Sequence, residues 1–446
     1  MKYSRIHPLT RSIAAALFLS GTAVCSAFGQ GREQKVITAD IDNFWIAYDS
    51  IRSTTDSLQQ LHYIQTLYID KGTPGLKAFM EAKGYNAEQG LRSIRNYPRF
   101  WDSIRPNTQQ ARAGAKGMEP YLKKLKKLYP ALKPAKIYFV IGALQSSGTG
   151  LDAMVLVGAE MATGDPETDI SEFPQNWQVG LGRYFNSQPF QNIIPLNIHE
   201  YVHTQQKGYG NNLLGRSIME GTADFITELV TGKKMPLPYM VYGAQHEEEL
   251  KEKFKKQMFA PYINNWFYNL SSAHPDLGYY MGYAICKTYY SNAKNKKQAI
   301  REMIELDFTS DKAVEAFLQQ SHYFPDAIDK VQLLQAYEGM RPVVSSIKPL
   351  VAGDSTVDAS TKEICISFST EMGPTTGVKY GAGGKEQWPL VGKGEFSADR
   401  KSCTFKVDLS PGKEYDFIVS EGFMSAEGYP LKPFRVRFKT PVENQK

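Results

Sequence analysis

Residues 199–203 read His-Glu-Tyr-Val-His. On a helix, side chains four apart share a face, so His199 and His203 can aim two imidazoles at one point. Glu200, one step round, is close enough to reach a water held there without being a ligand itself. In a chain with seven histidines and 46 acidic residues, a His-acid-x-x-His arises by chance roughly once in a hundred such compositions. Two histidines are also an incomplete site, because catalytic zinc takes a third protein ligand and keeps one position open for water.

The next helical stretch, "SIMEGTADFITELV", supplies the candidate. Glu220 interrupts an otherwise apolar run, and Asp224 follows one turn later on the same stripe. Burying two carboxylates in such a helix is costly unless each has a partner. A metal ion would satisfy Glu220, and the second nitrogen of a ligand histidine would satisfy Asp224 from outside the ligand shell. Glu228 continues the series but drifts round the helix, and is expected to be solvated. With zinc present to acidify water and polarise a carbonyl, Glu200 would take the water's proton and later hand it to a leaving amine. That is peptide-bond hydrolysis. A developing oxyanion usually has a further donor, and "DLGYYMGYAICKTYY" offers Tyr279 and Tyr283 on one helix face, with Gly278 and Gly282 permitting close approach. His62, His246, His274 and His322 have no ligand-like spacing.

These residues need elements to hold them. Apolar periodicity indicates helices over roughly 193–206, 213–230, 247–257, 278–292 and 297–306. Residues 40 to 128 are also helical, with breaks expected at "KGTPG", "KGYN" and "RPNT"; the lysines of "MEPYLKKLKKLYPAL" form a solvated face. Between these helical regions lie two apolar, β-branched stretches, Lys136–Ala143 and one from Asp152, expected to pair as strands across a loop. Gly148, Gly150 and Ala153 mimic a dinucleotide-binding fingerprint, but a strand follows them where a phosphate-binding helix should begin. A Pro- and Gly-containing loop is expected through residue 190. Beyond Pro342 the texture changes to short alternating strands, indicating a β-sandwich of about a hundred residues.

With "HEYVHTQQ", "EGTADFITELVTG" and "GYYMGYAICKTYY" in this order, roughly residues 40–335 resemble a family of zinc-dependent peptidases related to gliding-motility lipoproteins of gram-negative bacteria, within the broader gluzincin group. The resemblance implies His199, His203 and Glu220 as zinc ligands, Glu200 as general base and Asp224 as outer carboxylate. Gln205 departs from it, standing where metallopeptidase helices commonly carry an apolar residue. The tail, with "FSTEM" and "LSPGKEYDFIV", resembles a bacterial Ig-like domain. The expected architecture is therefore multidomain: a signal peptide over 1–29, an α-rich α+β zincin-like metallopeptidase domain over 30–341, and an all-β Ig-like sandwich over 342–446. By analogy with zincins, which bind extended substrate along a sheet edge, the strand near 152–157 should border the cleft.

Bulk properties set the outer bounds. Lys2, Arg5 and Arg11 precede an uncharged run of about 12 residues ending among small ones, the pattern of a secretory leader and well short of the ~20 apolar residues of a membrane span. Lipidation at Cys25 is not expected, since Val24 stands where a small residue is wanted. Removing the leader takes the formal charge from +6 to +3, and no basic strip remains for nucleic acid. Cys365 and Cys403 fall on opposite faces of their strands, which argues against a bridge. The reading is an exported zinc metallopeptidase acting on peptide or protein in the periplasm, envelope or medium. The alternative is a non-catalytic envelope component retaining the zinc scaffold.

Overall fold

The computed structural model describes residues 36–442 apart from 236, 270–271 and 351–354, with backbone alone for 112–116. The expected leader and Cys25 lie outside the described residues. At the centre of the helical part is a four-stranded sheet in the order β1-β2-β4-β3. β1 (Val36–Ile37), β2 (Lys136–Val140) and β4 (Met154–Gly158) run parallel. β3 (Thr149–Leu151) returns antiparallel on β4, with Gly150 opposite Val155. The interior strands read Lys-Ile-Tyr-Phe-Val and Met-Val-Leu-Val-Gly and are buried along most of their length, as strands covered on both faces should be. The pairing of the two apolar stretches is as expected. Part of the supposed loop between them, however, is itself a strand, and it takes the edge of the sheet beside β4.

Helices cover this sheet. Ala39–Arg52 buries Phe44 and Trp45 against Trp101, with Tyr48 packed beside them. The break before Pro74 is made by Thr73, whose hydroxyl accepts the Leu76 N–H. The one at "KGYN" is made by Gly84 at φ 65° and an Asn86–Gln89 capping box. No break occurs at "RPNT": helix Pro98–Lys116 runs through Pro106. Burial of Phe100, Trp101, Ile104 and Ala111 outweighs the ~3 kcal/mol that an internal proline costs. A second difference is helix Gln175–Asn186, which lies inside the expected loop. Gly180 and Gly182 weaken its local signal. In helix Glu119–Leu128, Leu122 and Leu125 face inward and the lysines face solvent.

From residue 344 the described strands pair into antiparallel sheets. β5 (Val344–Lys348), β6 (Glu363–Phe368), β8 (Leu390–Phe396) and β9 (Ser402–Val407) form one sheet in the order β5-β6-β9-β8. β7 (Val378–Tyr380), β10 (Glu414–Val419) and β11 (Phe434–Lys439) form a second in the order β11-β10-β7. Both sheets feed a single core including Ile364, Ile366, Phe405, Phe417 and Val436, separate from the core of the helical part. Cys403 is buried and Cys365 half-buried; both are free thiols, with Cys403 opposite Ile366 rather than Cys365. Arg341 joins the two regions through its Nε–H to the Pro430 carbonyl at 3.1 Å and its Nη2–H to that of Leu431 at 3.0 Å.

Candidate metal centre

Helix Ile193–His203 carries both histidines, and helix Leu213–Thr231 carries Glu220 and Asp224. The second helix is fixed at both ends: Asn212 accepts the Gly215 N–H at 2.9 Å, and Gly232 closes it at φ 78°. It packs against helix Leu277–Asn292 at backbone distance. A Cβ on Gly221 would lie 1.9 Å from the Gly282 carbonyl carbon, and one on Gly282 would lie 1.6 Å from the Ser217 oxygen. Only hydrogen fits at this crossing, which accounts for a glycine in the middle of each helix. The histidine helix is tied to the sheet by Gln205, which accepts the Lys133 N–H at 2.8 Å and donates to the Lys133 carbonyl at 3.1 Å. This contact explains a polar residue where an apolar one was expected.

The ligand atoms of His199, His203 and Glu220 all lie within 4.8 Å of one another. His199 Nε2 and His203 Nε2 face each other at 3.0 Å, and the Glu220 Oε2 is 3.0 Å from His203 Nε2 and 3.4 Å from His199 Nε2. The partners of the other ring nitrogens assign the protons. His199 Nδ1 lies 2.7 Å from the Asp224 carboxylate, which can only accept. His203 Nδ1 lies 2.6 Å from Gln206 Oε1, whose amide is oriented by its own Nε2–H donating to the Met219 carbonyl at 2.9 Å. With both Nδ1 atoms held by these acceptors, the two Nε2 atoms turn toward each other and toward Glu220. Two imidazole nitrogens and a carboxylate oxygen converge on one point, an arrangement that calls for positive charge there, from protons on the rings or from a metal ion.

Without a metal, the neighbouring carboxylates favour protons on the rings. Burial alone would lower the His199 pKa, but the carboxylates of Asp224 and Glu220 outweigh it and raise the pKa well above the ordinary value. Burial opposes ionisation of Glu220 as well, and the two histidines pull its pKa far below the usual carboxylate range. The pocket is built for positive charge. Two imidazole nitrogens and one carboxylate oxygen form a donor set suited to zinc, and the residues present fit that ion.

Glu200 is half-buried on the same helix and borders a cleft of about 750 Å³ together with His199, His203, Glu220 and Tyr279. β3 forms one wall. A Cβ on Gly148 would come within 3.5 Å of the Glu200 carboxylate, and one on Gly150 within 3.3 Å of His203 Cβ, so the edge strand lies directly against the histidine helix. Buried Glu160 holds the approach to β3, accepting the Gly142 N–H at 2.9 Å and the Leu144 N–H at 2.8 Å through a turn in which Ala143 and Leu144 have φ of 51° and 65°.

Tyr279 has its ring 6.2 Å from that of His199. Tyr283 is not with it. Its hydroxyl donates to Glu228 and accepts from Lys287 at 2.9 Å, and the residue does not line the cleft. This corrects two expectations, because Glu228 is a partly buried hydrogen-bond partner rather than a solvated acid. Four residues advance about 6 Å along a helix, enough to carry Tyr283 past the site. His246 and His274 stack on either face of Tyr242, at 3.9 and 3.6 Å between ring centres, and take no part in the cluster.

Four nearby residues had no mark in the sequence reading. Gln206 orients His203, and Tyr239 donates to Asp224 Oδ2 at 3.0 Å. Arg216 comes within 3.7 Å of the Glu220 carboxylate, one turn before it on the same helix. Lys83 lines the cleft; burial lowers its pKa, against the pull of Glu200. The i, i+3 spacing of His203 and Gln206 and the i, i+4 spacing of Arg216 and Glu220 were available signals. Nothing local pointed to Tyr239 or Lys83.

Comparison with known proteins gives one functional description. Residues 183–310, which hold both histidines, Glu200, Glu220 and Asp224, match a family model described as "Predicted Zn-dependent protease (DUF2268)". Among solved structures, the chain is similar to the crystal structure of CopC from Methylosinus trichosporium OB3b, with 15% identity over 24% of this chain and 99% of that one and a TM-score of 0.20. No curated protein matches the chain. The family match supports a zinc protease, and a buried His-His-Glu group able to hold a metal lies within the matched residues.

Proposed function

We propose that this protein is an exported zinc metallopeptidase of the gluzincin type, with a zincin-like catalytic region followed by an Ig-like sandwich. The observation that carries the proposal is the convergence of three metal-ligating atoms from His199, His203 and Glu220, with both imidazole Nδ1 atoms committed to Asp224 and Gln206. Zinc bound there would acidify a water and polarise the scissile carbonyl.

The chain's own residues would do the rest. Glu200, on the cleft side of the cluster, would accept the proton of the attacking water as the new C–O bond forms. It would return that proton to the amine as the C–N bond breaks, leaving one carboxylate product and one amine product. Burial holds the Tyr279 phenol well above its ordinary pKa, so its hydroxyl stays protonated and can donate to the developing oxyanion. Asp224 would keep the His199 ring in one tautomer, supported by Tyr239. The exposed edge of β3 would accept an extended peptide as one more strand. Export rests on the leader pattern of residues 1–29; among the described residues no helix is long and apolar enough to cross a membrane.

The test is digestion of a peptide library by the full protein with and without chelator, beside Glu200→Gln. Cleavage that the chelator abolishes and Glu200→Gln reduces by about 10²–10⁴-fold is expected. Zinc retained without chelator-sensitive cleavage would favour the non-catalytic envelope component instead.

A further inference from the structure

A second cavity of about 260 Å³ opens from the proposed catalytic centre, with His199, Glu200 and Tyr279 bordering both it and the main cleft. Its walls are apolar: Leu196 from the histidine helix, Leu237 and Pro238 from the segment after the glutamate helix, and the rings of Tyr239 and Tyr279. Glu200 on its border belongs to the proposed catalytic centre, and the other two charged residues there each have a backbone partner. Arg183 donates to the Ser272 carbonyl at 3.1 Å, and Asp276 accepts the Tyr268 N–H at 2.7 Å. An engineered apolar cavity of about 150 Å³ suffices to hold benzene, so a phenyl group fits here. An ionised side chain would lose hydration against these apolar walls.

At the border stands Gly180, in the middle of helix Gln175–Asn186, where an added Cβ would meet nothing within 4 Å. We propose that this cavity receives a bulky apolar side chain, of phenylalanine, leucine or methionine, from the substrate residue adjoining the scissile bond, and that the absence of a side chain at Gly180 leaves room for it. The proposal rests on the peptidase reading and names its substrate class.

The experiment maps library cleavage sites by mass spectrometry and then measures kcat/KM on peptide sets differing only in Phe, Trp, Ala or Asp next to the cut bond, for wild type, Gly180→Leu and Leu237→Ala. A parallel titration measures binding of the same labelled peptides to zinc-loaded Glu200→Gln. Leucine is a better helix former than glycine, and zinc content and melting temperature report whether each variant is folded. Wild type is expected to favour Phe over Ala by about tenfold or more, and Asp least, in both turnover and binding. Gly180→Leu is expected to lower the Phe/Ala ratio by about tenfold, while Leu237→Ala, which widens the cavity, shifts preference toward Trp. Leu237→Ala keeps the test decisive should Gly180→Leu fail to fold. Chelator-sensitive cleavage without this preference, or a ratio unmoved in folded variants, overturns the pocket and leaves the peptidase standing. Absence of chelator-sensitive cleavage removes the peptidase reading, and this role for the cavity with it.

Discussion

Asp224 in the helical region and Asp416 in the β region are both fully buried, yet they are satisfied in different ways. Asp416 takes two hydrogen bonds from Arg435, at 2.9 and 2.7 Å, and one from the Ala382 N–H at 2.8 Å. Its counter-charge sits half-exposed on the neighbouring strand, and the cluster is closed. Asp224 is held by His199 Nδ1 and the Tyr239 hydroxyl, and the chain of bonds does not stop there. It passes through the ring to Nε2, which faces His203 Nε2 and the Glu220 carboxylate. A buried charge that completes its own pairing is a structural device; one whose network ends in two facing imidazoles and a second carboxylate marks a place for a metal to bind.

The largest effect that sharpens this contrast is on metal affinity. Asp224→Ala should weaken zinc binding by about 10–100-fold, the usual cost of losing an outer-shell partner of a ligand histidine. Asp416→Ala should leave zinc binding unchanged. Isothermal titration of zinc into both apo variants would check this, and equal affinities would break the comparison.

The next effect is on stability, with the roles reversed. Asp416→Ala should destabilise the β region, and because Arg435 is half-exposed and screened by water the cost falls at about 1–2 kcal/mol, the low end for hydrogen bonds to a charged group. The same pair gives a pH dependence. Hydrogen bonds from Arg435 hold the Asp416 carboxyl down at about 2, against an ordinary aspartate value of 3.8. Since the folded-state value is the lower one, the contribution is complete above about pH 4 and is lost as the pH falls through about 2. Denaturant unfolding of wild type across that range should converge on the Asp416→Ala curve at its acid end; curves that stay parallel would contradict the assignment.

The smallest effect separates the two tyrosines. Tyr283→Phe removes a hydroxyl bonded to Glu228 and Lys287 and, because the residue does not line the cleft, should change kcat by no more than about twofold. Tyr279→Phe should lower kcat by more. Equal losses in the two variants would place Tyr283 in the chemistry after all.

What was legible in the sequence follows from the range of the forces involved. His199, His203, Glu220 and Asp224 lie on two long helices whose 3.6-residue period fixes relative direction, so their convergence could be anticipated from spacing and from the cost of burying two acids among Ile218, Met219 and Phe225. Gly221 against Gly282 was half legible, since the glycine was visible in each helix but their apposition was not. β3 escaped because three residues containing a glycine carry too little periodicity, and only pairing with β4 makes them a strand. Helix Gln175–Asn186 escaped because its two glycines argue locally against it while its packing decides for it. Tyr239 escaped for a third reason: its partner is 15 residues away, and no local rule connects them.

The most direct test of the central claim is the zinc content of the mature protein purified without chelator or metal-affinity tag, measured by elemental analysis beside His199→Ala and Glu220→Ala. One zinc per molecule in the wild type, lost or sharply weakened in both variants, is the expected result. A wild type without zinc, or one whose zinc is indifferent to Glu220, would contradict the three-ligand site.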